Sequence, residues 1–231
     1  MRRVGLLVAV ETETLLARWG AGESLPRRDG FAARRYVRGG TELFVLDSGA
    51  GEIAAAAAAQ FLITGCGAEL VVNFGVVGGL DPALRPAEVC IVTHVVHYDW
   101  DTSQVDPVEP GRYRRYPDVR IPAPPALVGL ACAVRPSLRR VVCASGDKFI
   151  GDPEQKRALR ARFGADICEM EAAGIVLTCD RAQVPCLLLK AVADSAGGGA
   201  AEFRDRLAAA AASCLTLTEE VLRRLDAAEA W

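Results

Sequence analysis

The chain has 231 residues, 51% of them hydrophobic and 24% charged, with a formal net charge of −2. That length and apolar content suit one large α/β domain with an ample core. The near-balanced charge and scattered arginines argue against nucleic acid as a partner, and the lack of about 18 consecutive apolar residues argues against a membrane span.

The N-terminus is basic at Arg2 and Arg3 and apolar only to Val10, too short for a secretory signal. It reads as a first strand, Arg3 to Val10, followed by a helix start at Glu11-Thr12-Glu13-Thr14. Glu13 therefore falls just past the end of strand one. Residues 31–38 and 41–48 read as two strands joined at Gly39-Gly40. The second ends in Ser48-Gly49-Ala50-Gly51, and the alanines from Ala54 to Ala59 predict a helix with a close-packing face.

Glu69 to Phe74 reads as a strand running into Gly75-Val76-Val77-Gly78-Gly79-Leu80. Three glycines there suggest close approach of backbone to a ligand or a neighbouring strand. A further strand is expected from Glu88 to Tyr98. Asp99 to Pro125 is polar, proline-rich and aromatic, and a loop of this length is more often functional or interfacial than filler. At least one of Trp100, Tyr113 and Tyr116 is expected to reach a ligand or a partner subunit. Ala126 to Val134 reads as a helix and Arg140 to Ala144 as a strand. Asp152 and Pro153 form an N-cap and first-turn pair. Phe149 and Ile150, apolar in a polar loop, could wall a planar ligand.

Ala172, Ile175, Val176 and Cys179 have the spacing of a helix with one buried face. Val184 to Val192 reads as a strand covered on both faces, ending on Asp194. Glu169 and Glu171 sit just before or at the start of the helix. Each carboxylate alone has an ordinary structural use, at a helix start or in a turn. Ligands in α/β sheets collect at the carboxyl ends of strands, so Glu171 and Asp194 are candidate halves of one site. Ala200 to Leu225 reads as a long amphipathic helix carrying Phe203.

None of the 8 cysteines forms a Cys-x-x-Cys pair, and most have apolar neighbours. They read as small buried thiols, and the compartment as the cytoplasm. The only histidines, His94 and His97, lie in an expected strand with no cysteine at ligand spacing, so no zinc site is expected.

Six pieces, in order along nearly the whole chain, resemble the nucleoside phosphorylase superfamily, and most closely its 5′-methylthioadenosine/S-adenosylhomocysteine nucleosidase branch. They are Val10-Glu11-Thr12-Glu13, Ser48-Gly49-Ala50-Gly51, Asn73 to Leu80, Ser145-Gly146-Asp147-Lys148-Phe149-Ile150, Glu169-Met170-Glu171-Ala172 and Ala191-Val192-Ala193-Asp194. The resemblance implies a single-domain, three-layer α/β/α fold with a mixed central sheet, and a homodimer. It implies that Asp194 is the general acid at adenine N7 and Glu13 the carboxylate that activates water. Glu171 and Met170 then hold the ribose hydroxyls, and Phe149, Ile150 and Phe203 surround the base. Val76, Gly78 and Lys190 complete the implied binding set. No metal or organic cofactor is implied. The chain departs from the family pattern at Val76 and Ala193, where serines are usual, at Lys190 in place of an arginine, and at Ala50 in place of an isoleucine.

Cleaving the bond from ribose C1′ to the base develops positive charge on the sugar and negative charge on the purine. An acid at N7 and carboxylates near the sugar meet those two needs. The acid must hold its proton near neutral pH, which burial and neighbouring carboxylates favour. Two other readings stay open. A phosphorylase would need a cationic phosphate site; no Gly-Asp-Pro-x-Arg segment follows strand one, and Glu13 would repel the anion there. A noncatalytic nucleoside-binding protein would not need Glu13, Glu171 and Asp194 together.

Overall fold

Continuous apolar runs become strands covered on both faces, and the helices that cover them carry alanine-rich or i, i+3, i+4 faces. The structure is a computed structural model describing residues 1–28 and 30–228. β1 (Arg2–Val8) leads into α1 (Thr12–Trp19), then β2 (Glu23–Ser24), β3 (Arg34–Arg38) and β4 (Thr41–Asp47). α2 (Glu52–Thr64) is followed by β5 (Leu70–Gly79), β6 (Val89–His97), β7 (Ile121–Pro122) and α3 (Pro125–Val134). The chain closes with β8 (Arg139–Ser145), α4 (Pro153–Phe163), β9 (Ile167–Glu169), α5 (Ala172–Ala182), β10 (Cys186–Asp194) and α6 (Ala200–Asp226).

Among the described residues, all ten strands form one mixed sheet. β4, β1, β5 and β10 run parallel in that order, and β3 and β2 extend the β4 edge antiparallel. The other end curls. β10 pairs antiparallel with β6, β6 and β8 pair in parallel, β8 pairs with β9, and β9 returns antiparallel to β5. Five strands thus close a ring. One large core lies between the sheet and α1, α3 and α6, and a second between the sheet and α2 and α5. This is the expected three-layer arrangement. A smaller core, with Ile150 and Phe163, seals the ring under α4.

Register places the chemistry. β5 and β10 are buried at every position, and Lys190 stands beside Gly75 and Asp194 beside Gly78. Gly78 is also paired with Cys168 of β9, and Glu169 with Ser145 of β8. β5 continues through the glycines to Gly79, beyond the end at Phe74 that hydrophobic patterning suggests. A Cβ at Gly79 would lie 3.2 Å from the Asp194 carbonyl oxygen, so the close approach is to a neighbouring strand. Asp152 caps α4 as expected, its side chain accepting from the Glu154 N–H at 2.7 Å. Seven of the eight cysteines are buried, Cys132 partly, and all are free thiols.

Candidate active site

The carboxyl ends of β1, β5, β9 and β10 converge on a cleft of about 190 Å³. Asp194, Glu171, Met170, Lys190, Val76, Gly78, Phe149, Ile150 and Phe203, all expected from the sequence, line it. Glu13 does not. It is exposed on α1 and turned away, while Glu11 lines the cleft at 2% exposure. The reason is helical phase: residues two apart lie about 200° apart around the axis, so only one of the pair can face inward. Glu11 shares its face with Leu15, which is fully buried one turn on.

Glu11 is held by the backbone. Its Oε1 accepts the Val76 N–H at 2.8 Å, and its Oε2 accepts the N–H groups of Ala9 at 3.1 Å and Val10 at 3.0 Å. Gly75 leaves the room this needs, since a Cβ there would lie 3.3 Å from Glu11 Oε1 and 3.5 Å from Lys190 Nζ.

Lys190 is buried and donates to Glu169 Oε2 at 2.9 Å. Burial alone would lower the Lys190 pKa, but Glu169 and Glu171 outweigh it and hold the ammonium above its ordinary range. Burial likewise opposes ionisation of Glu169, yet Lys190, Ser145 and the Ala172 N–H keep it below the usual carboxylate range. Glu171 sits at the N-cap of α5, its Oε1 accepting the Gly51 N–H at 3.0 Å. Burial first, and the Glu169 charge second, push its pKa up to about 7.

Asp194 faces this group from the other end of the cleft. Its Oδ2 is bonded by the buried Lys156 ammonium, whereas its Oδ1 is buried with no partner. Burial raises its pKa above the ordinary value, Lys156 opposes this and Glu202 adds to it. One wall of the cleft is aromatic: Phe149 is 44% exposed and meets Phe203 edge-to-face at 5.3 Å.

Two buried groups escape a reading of local sequence. Lys156 sits in a polar helix, but its spacing to Leu159 and Phe163 traces that helix's inward stripe. Glu52, beneath the cleft, accepts the Ser145 hydroxyl at 2.5 Å and is pushed up to about 8 by burial and by Glu169. Trp100, Tyr113 and Tyr116 do not line the cleft. Trp100 stacks on Tyr113 at 4.8 Å, the Tyr113 hydroxyl meets His97 Nδ1 at 2.7 Å, and Tyr116 donates to Asp180 at 2.5 Å. Among the described residues no group of three or more His, Cys, Asp or Glu side chains is set to hold a metal ion, and no helix is long and apolar enough to cross a membrane.

The family model for the phosphorylase superfamily matches residues 3–223. The aminodeoxyfutalosine nucleosidase of Campylobacter jejuni is 32% identical over 160 residues, covering 68% of this chain and 69% of that protein. The 5′-methylthioadenosine/S-adenosylhomocysteine nucleosidase of Tolumonas auensis is 28% identical over 235 residues, covering 96% of this chain and 100% of the relative. Among solved structures, the 5′-methylthioadenosine/S-adenosylhomocysteine nucleosidase of Neisseria meningitidis in complex with methylthio-immucillin-A gives a TM-score of 0.88 at 27% identity, covering 96% of this chain and 99% of that one.

Proposed function

Since the chain belongs to the phosphorylase superfamily, we propose that its cleft hydrolyses the N-ribosidic bond of 5′-methylthioadenosine, S-adenosylhomocysteine or a related purine nucleoside and releases the base. One observation carries this reading. A buried aspartate with a raised pKa presents a bare oxygen to a cleft whose other end holds two buried glutamates, Glu11 and Glu171.

Each group then has a task. Asp194 gives its proton to purine N7 as the C1′–N9 bond breaks and the electron pair moves onto the base. Water bonds to C1′, and Glu11 takes the proton that the water loses. Glu171 and the Met170 region hold the ribose diol, and the Glu171 charge stabilises the cationic sugar. A general acid of this kind contributes about 10²–10⁴-fold. These steps use only side chains and water.

Water is favoured over phosphate by the charges present. Lys190, the buried cation nearest Glu11, is already paired with Glu169, and Lys148 at the cleft is exposed. Like charges about 4 Å apart at an effective dielectric near 20 repel by about 4 kcal/mol, roughly 10³-fold in affinity.

The test is a panel of methylthioadenosine, S-adenosylhomocysteine and adenosine, with release of free adenine expected from at least one. The Campylobacter relative supports a second reading of the 5′ side, with the same bond cleaved in aminodeoxyfutalosine, which joins the panel. Binding without release throughout would leave a nucleoside-binding protein. The protein is further proposed to act as a cytoplasmic homodimer, with Ile53 of α2, 82% exposed, and Trp100, 38% exposed, as available apolar surface. Sedimentation as a monomer would remove the dimer.

Glu171→Gln is expected to lower turnover more than affinity for free adenine, because sugar charge develops mainly in the transition state. Equal losses in the two measurements would make Glu171 a base contact or a structural residue.

A further inference from the structure

Charged and polar residues make up just over half of α4, and one of them, Lys156, has no solvent exposure. Among the described residues its ammonium hydrogen-bonds only two oxygens, at and just past the end of β10: Asp194 Oδ2, and the Ser195 carbonyl at 2.6 Å. The side chains of the pair are 0% and 1% exposed. Burying two charges is a poor way to stabilise a fold, since well-packed apolar residues of similar volume often do as well or better. The position lies on the stripe with Leu159 and Phe163, where an apolar side chain would serve packing. The lysine therefore calls for another explanation.

The two oxygens of Asp194 are unlike. Lys156 is a donor with no acceptor capacity, so an acidic O–H cannot point at it, and the proton of a neutral Asp194 is excluded from Oδ2. It is left to Oδ1, which has no protein partner. Gly78 keeps that oxygen open, since a Cβ there would stand 3.3 Å from it. No other side chain competes for the task. Ala193 offers only a methyl group. Ser195 is turned to α6, its hydroxyl and N–H both donating to Glu202 Oε2 at 2.9 and 3.0 Å. Among the described residues, Lys156 is the only side chain that hydrogen-bonds Asp194.

We propose that Lys156 is the positioning residue of the general acid: it clamps Oδ2 and directs the transferable proton to Oδ1, the oxygen open to the cleft. This rests on the reading of Asp194 as the acid. The clamp has an opposing effect on acidity. The groups facing Asp194 are Lys156 from α4, Glu202 from α6 and Cys168 from β9. Burial and Glu202 favour the protonated acid, and Lys156 favours the carboxylate. Lys156 thus trades occupancy of the proton at high pH for a fixed place for it.

That opposition supplies the test. Lys156→Met removes both charge and clamp; Lys156→Gln removes the charge but keeps a donor. With the acid's cationic neighbour gone, Asp194 holds its proton to higher pH. The alkaline limb of kcat/KM on a purine nucleoside is expected to move up by about 1 pH unit or more in both variants. Below that limb, K156M is expected to fall about 10-fold or more through the loosened acid, and K156Q less. On a 4-nitrophenyl riboside, whose leaving group departs without protonation, K156M is expected to lose far less. A lysine that only supports the fold would lower both substrates alike and leave the limb in place. Asp194→Asn, run alongside, separates the two claims. If D194N releases purine at the parent rate, the acid reading falls and takes this proposal with it. If D194N is inactive while K156M and K156Q keep the parent alkaline limb, the Lys156 proposal alone falls. Failure of both lysine variants to fold would assign Lys156 to stability and overturn it too.

Discussion

Asp194→Asn is expected to release purine at least about 100-fold more slowly than the parent protein, while nucleoside binding is kept. The amide has the shape of the carboxyl group. Its oxygen can accept from Lys156 at the place of Oδ2, which leaves the NH₂ group at the bare Oδ1 position. There it can donate a hydrogen bond to N7 but has no proton to give, so recognition survives and bond breaking does not. Some stability is lost with the charge partner of a buried ammonium; breaking such pairs typically costs about 3–5 kcal/mol, which caps the fall. Rates are therefore to be compared at a temperature where circular dichroism shows both proteins folded. Near-normal turnover in folded D194N would remove Asp194 from the chemistry.

The second large effect separates two carboxylates that lie two residues apart. Glu11→Gln is expected to lower turnover by about 10²–10⁴-fold, because the amide cannot take a proton from water. Glu13→Gln is expected to stay within about threefold of the parent, as exposed substitutions away from special features do. Sequence resemblance alone makes the opposite assignment. The structure supports Glu11 by burial, by its three backbone N–H donors and by its place in the cleft beside Lys190, while Glu13 is exposed. Full activity in E11Q with loss in E13Q would restore Glu13 as the base and require α1 to enter its first turn in a different phase.

These residues show where local sequence informs and where it stops. The apolar runs ending at Asp194 and at the β5 glycines report burial on both faces, and burial holds at every position of β5 and β10. The spacing of Ala172, Ile175, Val176 and Cys179 gives α5, and all four are buried. What local pattern lacks is pairing. β9 has three residues, too few for a periodic signal, yet it closes the ring and sets Cys168 beside Gly78. Lys156 reaches Asp194 across 38 residues, and its polar neighbours hide the inward stripe. Glu11 was legible in part: Leu15, one turn on, marks the inward face, whereas the residue four after Glu13 is the exposed Ala17. The aromatic loop does not line the cleft: within the chain Trp100 and Tyr113 stack on each other and on His97, which leaves the expected contact with a partner subunit to the sedimentation test.

The central claim is that water, not phosphate, takes the ribosyl group. It is tested most directly by identifying the sugar product by NMR after reaction with methylthioadenosine, or the best substrate of the panel, in phosphate-rich and phosphate-free buffers. The account predicts free sugar and free base in equal amounts, at the same rate in both buffers. A sugar 1-phosphate, or a rate that rises with phosphate, would contradict it.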